Sequence, residues 1–173
     1  MRARAMLISL GIAVAFTGFS ATTASAYDNS NLSISRSEYD TDYCLCHDYS
    51  GLDYTGFKHD AGGEALKLVV KNNGTAVAQV EFHPWDEILY VYDGKNDGDT
   101  IYVRAMWWEG SGFVREDGGP YWAPGTSKEL DMNKIQMDSD DDIDEGTVVY
   151  FRLYDDKDGN DPITDWYQYN GHA

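Results

Sequence analysis

Residues 64–82, with the sequence EALKLVVKNNGTAVAQVEF, decide the predicted fold. Apolar residues alternate along 66–71, and every second residue along 76–82 is apolar, so that Ala76, Val80 and Phe82 share one face. This periodicity is typical of β-strands. Asn72-Asn73-Gly74 lies between the two runs and accepts the positive φ angles of a tight hairpin turn. We therefore expect two antiparallel strands joined by this turn.

The rest of the chain after residue 82 continues the same pattern. Further strand-like runs occupy 87–92, 100–108, 130–137, 147–154 and 164–169, and turn-forming sequences occupy 93–98, 118–120 and 158–162. No stretch has a helical period. About seven short strands with such turns predict an all-β fold, a small antiparallel β-sandwich that spans residues 64–173.

The first 26 residues have the features of a secretory signal peptide. Arg2 and Arg4 form a basic start, 6–19 is apolar, and Ala24-Ser25-Ala26 matches a cleavage site. A transmembrane anchor, which is the alternative, needs roughly 20 apolar residues, and this run is shorter. We expect cleavage after Ala26 and release of residues 27–173 as a secreted, extracellular protein.

Residues 27–63 are rich in Ser, Asp, Tyr and Asn and contain few aliphatic residues. Such a segment has little to bury, so we expect a polar N-terminal arm that is extended or loosely held before the β-domain.

The charge of the chain limits its partners. Its 13 basic and 30 acidic residues give a net charge of −17, and loss of Arg2 and Arg4 leaves 11 basic residues and a net charge of −19. So acidic a protein does not neutralise phosphates or anionic lipids, which excludes nucleic acid and membrane surfaces as partners. Basic or neutral proteins, or a cation, remain.

The cysteines, Cys44 and Cys46, are separated by one residue. In an oxidising compartment they could bridge to each other, and so small a ring would add little stability. The ring could instead hold Leu45 rigidly at the tip of a contact loop. An inert bridge, disulfides to another chain, and a zinc site of Cys44, Cys46, His47 and His59 are the alternatives.

Acidic loops and aromatic residues suggest two other kinds of site. The loops 93–99, 138–145 and 155–161 carry carboxylates suited to calcium, but none has the EF-hand spacing, and solvated turns explain them equally well. We expect Trp85 and Trp107 in the core, and Trp108 and Trp122 on an exposed face that binds a protein or a sugar. Residues 49–56 resemble a βγ-crystallin hairpin in the spacing of aromatic residues and glycines.

Catalytic motifs are missing from the sequence. It has no Gly-x-Ser-x-Gly, no His-Glu-x-x-His and no phosphate-binding loop, and its four histidines stand in no known catalytic context. We expect a protein that is not an enzyme and needs no cofactor.

The signal peptide, the polar arm with Tyr43-Cys44-Leu45-Cys46, and the single acidic β-domain together resemble the small secreted adaptor subunit of actinobacterial umbrella toxin particles. The resemblance implies an adaptor that links lectin-bearing, trypsin-like subunits to the repeat-containing ring of a large toxin protein in a particle directed against competing bacteria. We therefore expect other secreted proteins as partners, bound through Tyr43, Leu45, His47, Trp108 and Trp122. A secreted carbohydrate-binding or calcium-binding module is the alternative.

Overall fold

The computed structural model describes residues 27–43, 45–109, 113–116, 119–126, 129–137 and 143–173. The predicted signal peptide and Cys44 lie outside these residues. The strands are β1 (Leu32–Asp40), β2 (His47–Asp48), β3 (Thr55–Gly56), β4 (Glu64–Asn72), β5 (Thr75–His83), β6 (Ile88–Asp93), β7 (Tyr102–Glu109), β8 (Phe113–Glu116), β9 (Asp131–Gln136), β10 (Val148–Tyr154) and β11 (Tyr169–His172). Within the described ranges the helices are two three-residue 3-10 turns, Asn29–Asn31 and Trp85–Glu87, and neither has the length or apolarity to cross a membrane.

Nine of these strands form one antiparallel sheet. Its order is β8-β7-β10-β11-β4-β5-β6-β9, with β1 paired to β4, while β2 and β3 form a separate two-stranded sheet. The large sheet is curled into a half-barrel, so that its two halves face each other as the layers of a sandwich do. The prediction of an all-β, antiparallel fold is confirmed.

The predicted hairpin is present. Strand β4 ends at Asn72 and β5 begins at Thr75, and the two residues between them, Asn73 and Gly74, have φ angles of 49° and 81°. A register shift at Val70/Lys71 then moves the pairing by one residue along the rest of the two strands.

The core lies between the two halves of the curled sheet. One half contributes Leu66, Leu68, Val80 and Phe82 from β4 and β5, and the other contributes Val103, Ala105, Trp107, Val149, Phe151 and Leu153 from β7 and β10. The rings of Phe82 and Phe151 meet across it at 5.3 Å. Trp107 is buried as expected, whereas Trp85 is 43% exposed, because it lies in the turn that connects β5 and β6 and is outside the core. The Lys58 ammonium lies over its ring.

The N-terminal segment is extended at its start, which is one of the two forms expected, and it is paired with the sheet. Strand β1 pairs with β4 along its whole length, from Leu32 opposite Asn72 to Asp40 opposite Glu64. Residues 41–43 and 45–60 then pack on the outer face of β4 and β5, where Phe57 is only 1% exposed. A polar composition is compatible with this packing for two reasons. Most side chains of β1 remain exposed or only partly buried, and the next segment is held mainly by hydrogen bonds.

The last strand is shifted from its predicted position at 164–169 and spans Tyr169–His172. The Thr164 hydroxyl accepts a hydrogen bond from the Leu153 backbone N–H, and Tyr167 has a φ of 69°. The chain therefore turns through these residues before it enters the sheet.

Candidate functional site

The first candidate surface is the hairpin surface, which consists of Tyr43, Leu45, His47, Tyr49 and Tyr54. All five side chains are exposed, Tyr43 at 87% and Tyr54 at 80%. The rings of His47 and Tyr49 stack at 6.2 Å, and those of Tyr49 and Tyr54 meet edge-on at 5.6 Å. Aromatic rings packed on one another in solvent form an apolar surface of the kind that protein partners contact.

Alternation of the backbone produces this surface. Leu45, His47 and Tyr49 face outward, and the residues between them, Cys46 and Asp48, are buried. Cys46 belongs to a second, smaller core with Phe57 and Ala65. The side chain of Cys46 is therefore anchored in the protein while its neighbour Leu45 projects.

A buried polar network fastens the hairpin surface to the sheet. The Lys67 ammonium lies 3.5 Å from Glu81 Oε1, donates to Thr55 Oγ1 at 3.0 Å, and donates to the Asp48 carbonyl at 3.3 Å. The other oxygen of Glu81 accepts a hydrogen bond from the Tyr92 hydroxyl at 3.1 Å. Both members of the Lys67–Glu81 pair are almost fully buried, so the charges interact with little screening by water.

Gln79 extends this network to the loop that carries Tyr49 and Tyr54. Its side-chain oxygen accepts a hydrogen bond from the Leu52 backbone N–H at 2.7 Å, and its amide donates to Asp53 Oδ1 at 2.9 Å. Gly51 has a φ of 90° and lies directly against Gln79. The loop is thus held in one conformation, which reduces the entropy lost when a partner binds.

Hydrogen bonding also stabilises the Asp48 carboxylate beneath the hairpin surface. Burial alone would raise the pKa of Asp48, but hydrogen bonds from Ser50 and the charge of Lys67 outweigh burial and leave that pKa below its usual value. Asp48 Oδ1 accepts from the Ser50 backbone N–H at 2.7 Å. An ionised Asp48 therefore holds the start of the loop at neutral pH.

The second candidate surface is the arginine face, on the outer side of β7 and β10. Its strand residues alternate with the core residues and are Tyr102, Arg104, Met106, Trp108, Tyr150, Arg152 and Tyr154. Nearby loops add the rings of Trp122, Trp166 and Tyr167. Trp108 is 48% exposed, and Trp122 is half-buried with its ring 5.7 Å from that of Tyr102.

Two like charges face each other at the centre of the arginine face. Arg104 and Arg152 are direct cross-strand partners, and their guanidinium carbons lie 5.7 and 5.2 Å from the centre of the Tyr154 ring. Among the described residues no carboxylate forms an ion pair with either arginine. Like charges in direct cross-strand positions repel, so an acidic group brought to this face would relieve the repulsion.

An acidic loop forms the rim of the arginine face. Burial, followed by the charges of Asp156 and Asp155, raises the pKa of Tyr102. Lys157 of the same loop places its ammonium 4.6 Å from the centre of the Trp122 ring. Acidic residues thus limit the positively charged area of this face to the two arginines. A small acidic group that fits between the aromatic rings is therefore the favoured ligand.

The two candidate surfaces lie on opposite outer sides of the protein. The hairpin surface covers the outer face of β4 and β5, whereas the arginine face is the outer face of β7 and β10, and the core separates the two halves. Of the predicted contact residues, Tyr43, Leu45 and His47 belong to the first surface, and Trp108 and Trp122 to the second.

Sequence reasoning did not assign Tyr49, Tyr54, Arg104 or Arg152 to a site. The alternation of residues 45–49 would have placed Tyr49 beside His47. The sequence also places Arg104 and Arg152 on the strand faces opposite the aliphatic residues. It does not show that these two strands pair with each other.

The acidic loops do not form a metal site within the described residues, where no group of three His, Cys, Asp or Glu side chains is placed to hold an ion. Loops 93–99 and 155–161 approach each other around Tyr27, and residues 138–142 of the third loop lie outside the description. Its last residues line an acidic cavity of about 330 Å³ beside Trp85. Zinc ligation by Cys44 likewise concerns a residue outside the description.

Comparisons with protein-family models, with curated proteins and with solved structures found no match to this chain. The two surfaces are therefore the features of the molecule that bear on its function. Both present aromatic rings on rigid strands or on a fixed loop, and they differ in charge and in position.

Proposed function

We propose that this chain is a secreted, non-catalytic adaptor that binds one protein through the hairpin surface and another through the arginine face. The observation that carries the proposal is the presence of two exposed aromatic surfaces on opposite sides of one small domain. A protein built this way can contact two partners at once without steric conflict between them.

The hairpin surface has the properties of a protein-binding hot spot. Its tyrosines offer large amphipathic contact areas with few rotatable bonds, and the Lys67–Glu81 network fixes the loop before binding. Tyr43 and Leu45, which are exposed and shortly precede the rings in the chain, add apolar area. The expected partner presents an apolar groove or pocket at this point.

The arginine face suits a partner with different chemistry. Planar guanidinium groups bind carboxylates with two parallel hydrogen bonds, and Arg104 and Arg152 stand side by side without a carboxylate partner in the described part of the chain. We propose that the second partner inserts an Asp or Glu side chain between the surrounding rings.

The proposed compartment and the proposed kind of assembly are inferred from the sequence. The signal peptide supports export, the acidic charge supports partners that are neither nucleic acid nor membrane, and the lack of catalytic motifs supports a binding role. The resemblance to the adaptor of umbrella toxin particles suggests that the partners are subunits of an extracellular toxin complex involved in competition between bacteria. Within this proposal, Cys44 and Cys46 bridge to each other and stiffen the loop around Leu45.

Affinity purification from the culture medium of the source organism tests the adaptor function. The tagged wild-type protein should retain two different proteins, identified by mass spectrometry. Tyr49→Ser/Tyr54→Ser should lose one of them at least tenfold, about 1.4 kcal/mol, and Trp108→Ser/Arg152→Ser should lose the other by a similar factor.

Trp85→Ser is the matched control, because it removes a partly exposed tryptophan outside both surfaces, and it should retain both proteins. The adaptor proposal is wrong if the two surface variants lose the same protein, or if neither variant loses any, while all variants remain folded.

Carbohydrate binding is the second candidate, favoured by the open rings of Trp108 and Tyr167 on the arginine face. Such rings can stack on a sugar, and the arginines would then select an acidic one. Retention of the wild-type chain on an acidic polysaccharide column, lost in Trp108→Ser/Arg152→Ser, would support this function over a second protein partner.

A further inference from the structure

Tyr27 is the residue that cleavage after Ala26 would expose as a new N-terminus. Its backbone nitrogen donates a hydrogen bond to Asp155 Oδ1 at 2.9 Å. Both Tyr27 and Asp155 are buried, with exposures of 7% and 1%. A buried carboxylate therefore already holds the nitrogen that cleavage would convert from an amide into an amine.

The side chain of Tyr27 also lies among acidic residues. Burial, followed by the charges of Asp97, Asp93, Asp99 and Asp155, raises the pKa of the Tyr27 hydroxyl. No Lys, Arg or His among the described residues forms an ion pair with Asp93, Asp97 or Asp99. Loop 93–99 thus adds negative charge near the Tyr27 side chain, whereas Asp155 is the carboxylate that contacts the nitrogen itself, and a cation at that nitrogen would be stabilised chiefly by Asp155.

Contacts on the C-terminal side of Tyr27 fix the position of its nitrogen. Asp28 caps the following 3-10 turn through the Ser30 backbone N–H. The Asn29 amide donates to Asp161 Oδ1 at 2.9 Å, and the Asn31 carbonyl accepts from the Asn73 backbone N–H at 3.0 Å. These contacts all lie within the mature chain, so they persist after residues 1–26 are removed.

We propose that removal of residues 1–26 creates an ammonium group on Tyr27 that forms a buried ion pair with Asp155 and locks the N-terminus into the fold. Hydrolysis of the Ala26–Tyr27 peptide bond by a processing peptidase consumes one water, leaves a carboxylate on Ala26 and leaves an amine on Tyr27. The amine takes up a proton at neutral pH. The inference rests on the proposed export and is independent of the proposed partners.

The ion pair makes the processed protein more stable than any chain with residues before Tyr27. An amide N–H donates one hydrogen bond without a charge, whereas an ammonium group donates up to three and adds a charge attraction to Asp155. The acidic loops 93–99 and 155–161 then serve to receive the mature N-terminus.

Thermal unfolding of two purified chains tests the ion pair. One chain begins at Tyr27, released from a fusion by a protease that leaves no extra residue, and the other carries Gly-Ser before Tyr27. The chain that begins at Tyr27 should melt at least about 3 °C higher. In the Asp155→Asn background this difference should fall below about 1 °C, because the charged partner is gone.

Asp158→Asn is the matched control, since Asp158 is an exposed carboxylate of the same loop, and it should keep the full difference between the two chains. Equal melting temperatures of the two wild-type chains, or a difference that persists in Asp155→Asn, would overturn the inference.

Chemical reactivity gives a second measurement that does not depend on the Asp155 variant folding. The amine of the chain that begins at Tyr27 should react with acetic anhydride at least about tenfold more slowly than the amine of the Gly-Ser chain, because it is buried and protonated. Equal rates would contradict the inference. Mass spectrometry of the exported protein should find Tyr27 as its first residue, and any other first residue would overturn the inference without bearing on the adaptor experiment.

Discussion

Replacement of Lys67 by methionine should destabilise the protein strongly. Lys67 and Glu81 are 0% and 1% exposed, so the substitution leaves a buried carboxylate without its cation. Breaking a buried ion pair by removing one partner typically costs about 3 to 5 kcal/mol. The whole free energy of unfolding of a domain is about 5 to 15 kcal/mol, so this loss is a large part of it.

The expected loss lies near the lower end of that range, at about 3 kcal/mol. Glu81 keeps hydrogen bonds from Thr55, Gln79 and the Tyr92 hydroxyl after the substitution, and these continue to stabilise its charge. Methionine fills most of the space that the lysine stem occupied, so the substitution creates little cavity.

Urea unfolding followed by tryptophan fluorescence measures this loss. Lys71→Met on the same strand is the matched control, because Lys71 is partly exposed and should change stability by less than about 0.5 kcal/mol. A double-mutant cycle with Glu81→Gln should give a coupling energy of at least about 2 kcal/mol between the two sites. A loss below about 1 kcal/mol for Lys67→Met, or additive effects of the two substitutions, would refute a stabilising role for this ion pair.

Three other substitutions test further features of the fold. Gly51→Ala should cost at least about 2 kcal/mol in urea unfolding, because its φ is 90° and the new Cβ would overlap the Gln79 side chain. Burial raises the pKa of Asp93 to about 6, so ionisation of this carboxyl opposes folding. The protonated carboxyl favours the folded state near pH 4, and this stabilisation is lost as the pH rises through 6. Asp93→Asn should therefore gain about 2 kcal/mol relative to wild type between pH 4.5 and pH 7, measured by urea unfolding at both values; an unchanged difference between the two proteins would contradict this. Trp107→Ala should cost about 3 to 5 kcal/mol, whereas Trp85→Ala should cost about 1 kcal/mol, and equal losses in thermal unfolding would contradict their assigned burial.

Local sequence patterns predicted the class of fold and several of its elements. The alternation around Leu66 and Phe82, and the turn at Asn73-Gly74, depend only on backbone geometry and on neighbouring residues, so they are readable without the rest of the chain. The burial of Trp107 was predictable for the same reason, because alternation places it on one face with Ile101, Val103 and Ala105.

Pairing across the sheet was less predictable. Counting outward from the turn pairs Lys67 with Val80, but the register shift at Val70/Lys71 brings Lys67 opposite Glu81 instead. A bulge of this kind changes which side chains are neighbours across the two strands. No turn-forming residue in the sequence indicates the position of this bulge. The buried ion pair beneath the hairpin surface was therefore invisible in the sequence.

The sequence by itself determined an acidic, antiparallel β-protein and the residues that share each strand face. Only the tertiary structure decided what covers those faces: residues 45–60 lie on one, and on the other Arg104 and Arg152 lie half-buried beside aromatic rings. It also decided that Tyr27 meets Asp155, which lies 128 residues away along the chain. Alternation along a strand indicates the direction in which each side chain points. Burial of that side chain also depends on segments distant in sequence that pack on the same face, and a local pattern contains no information about those segments.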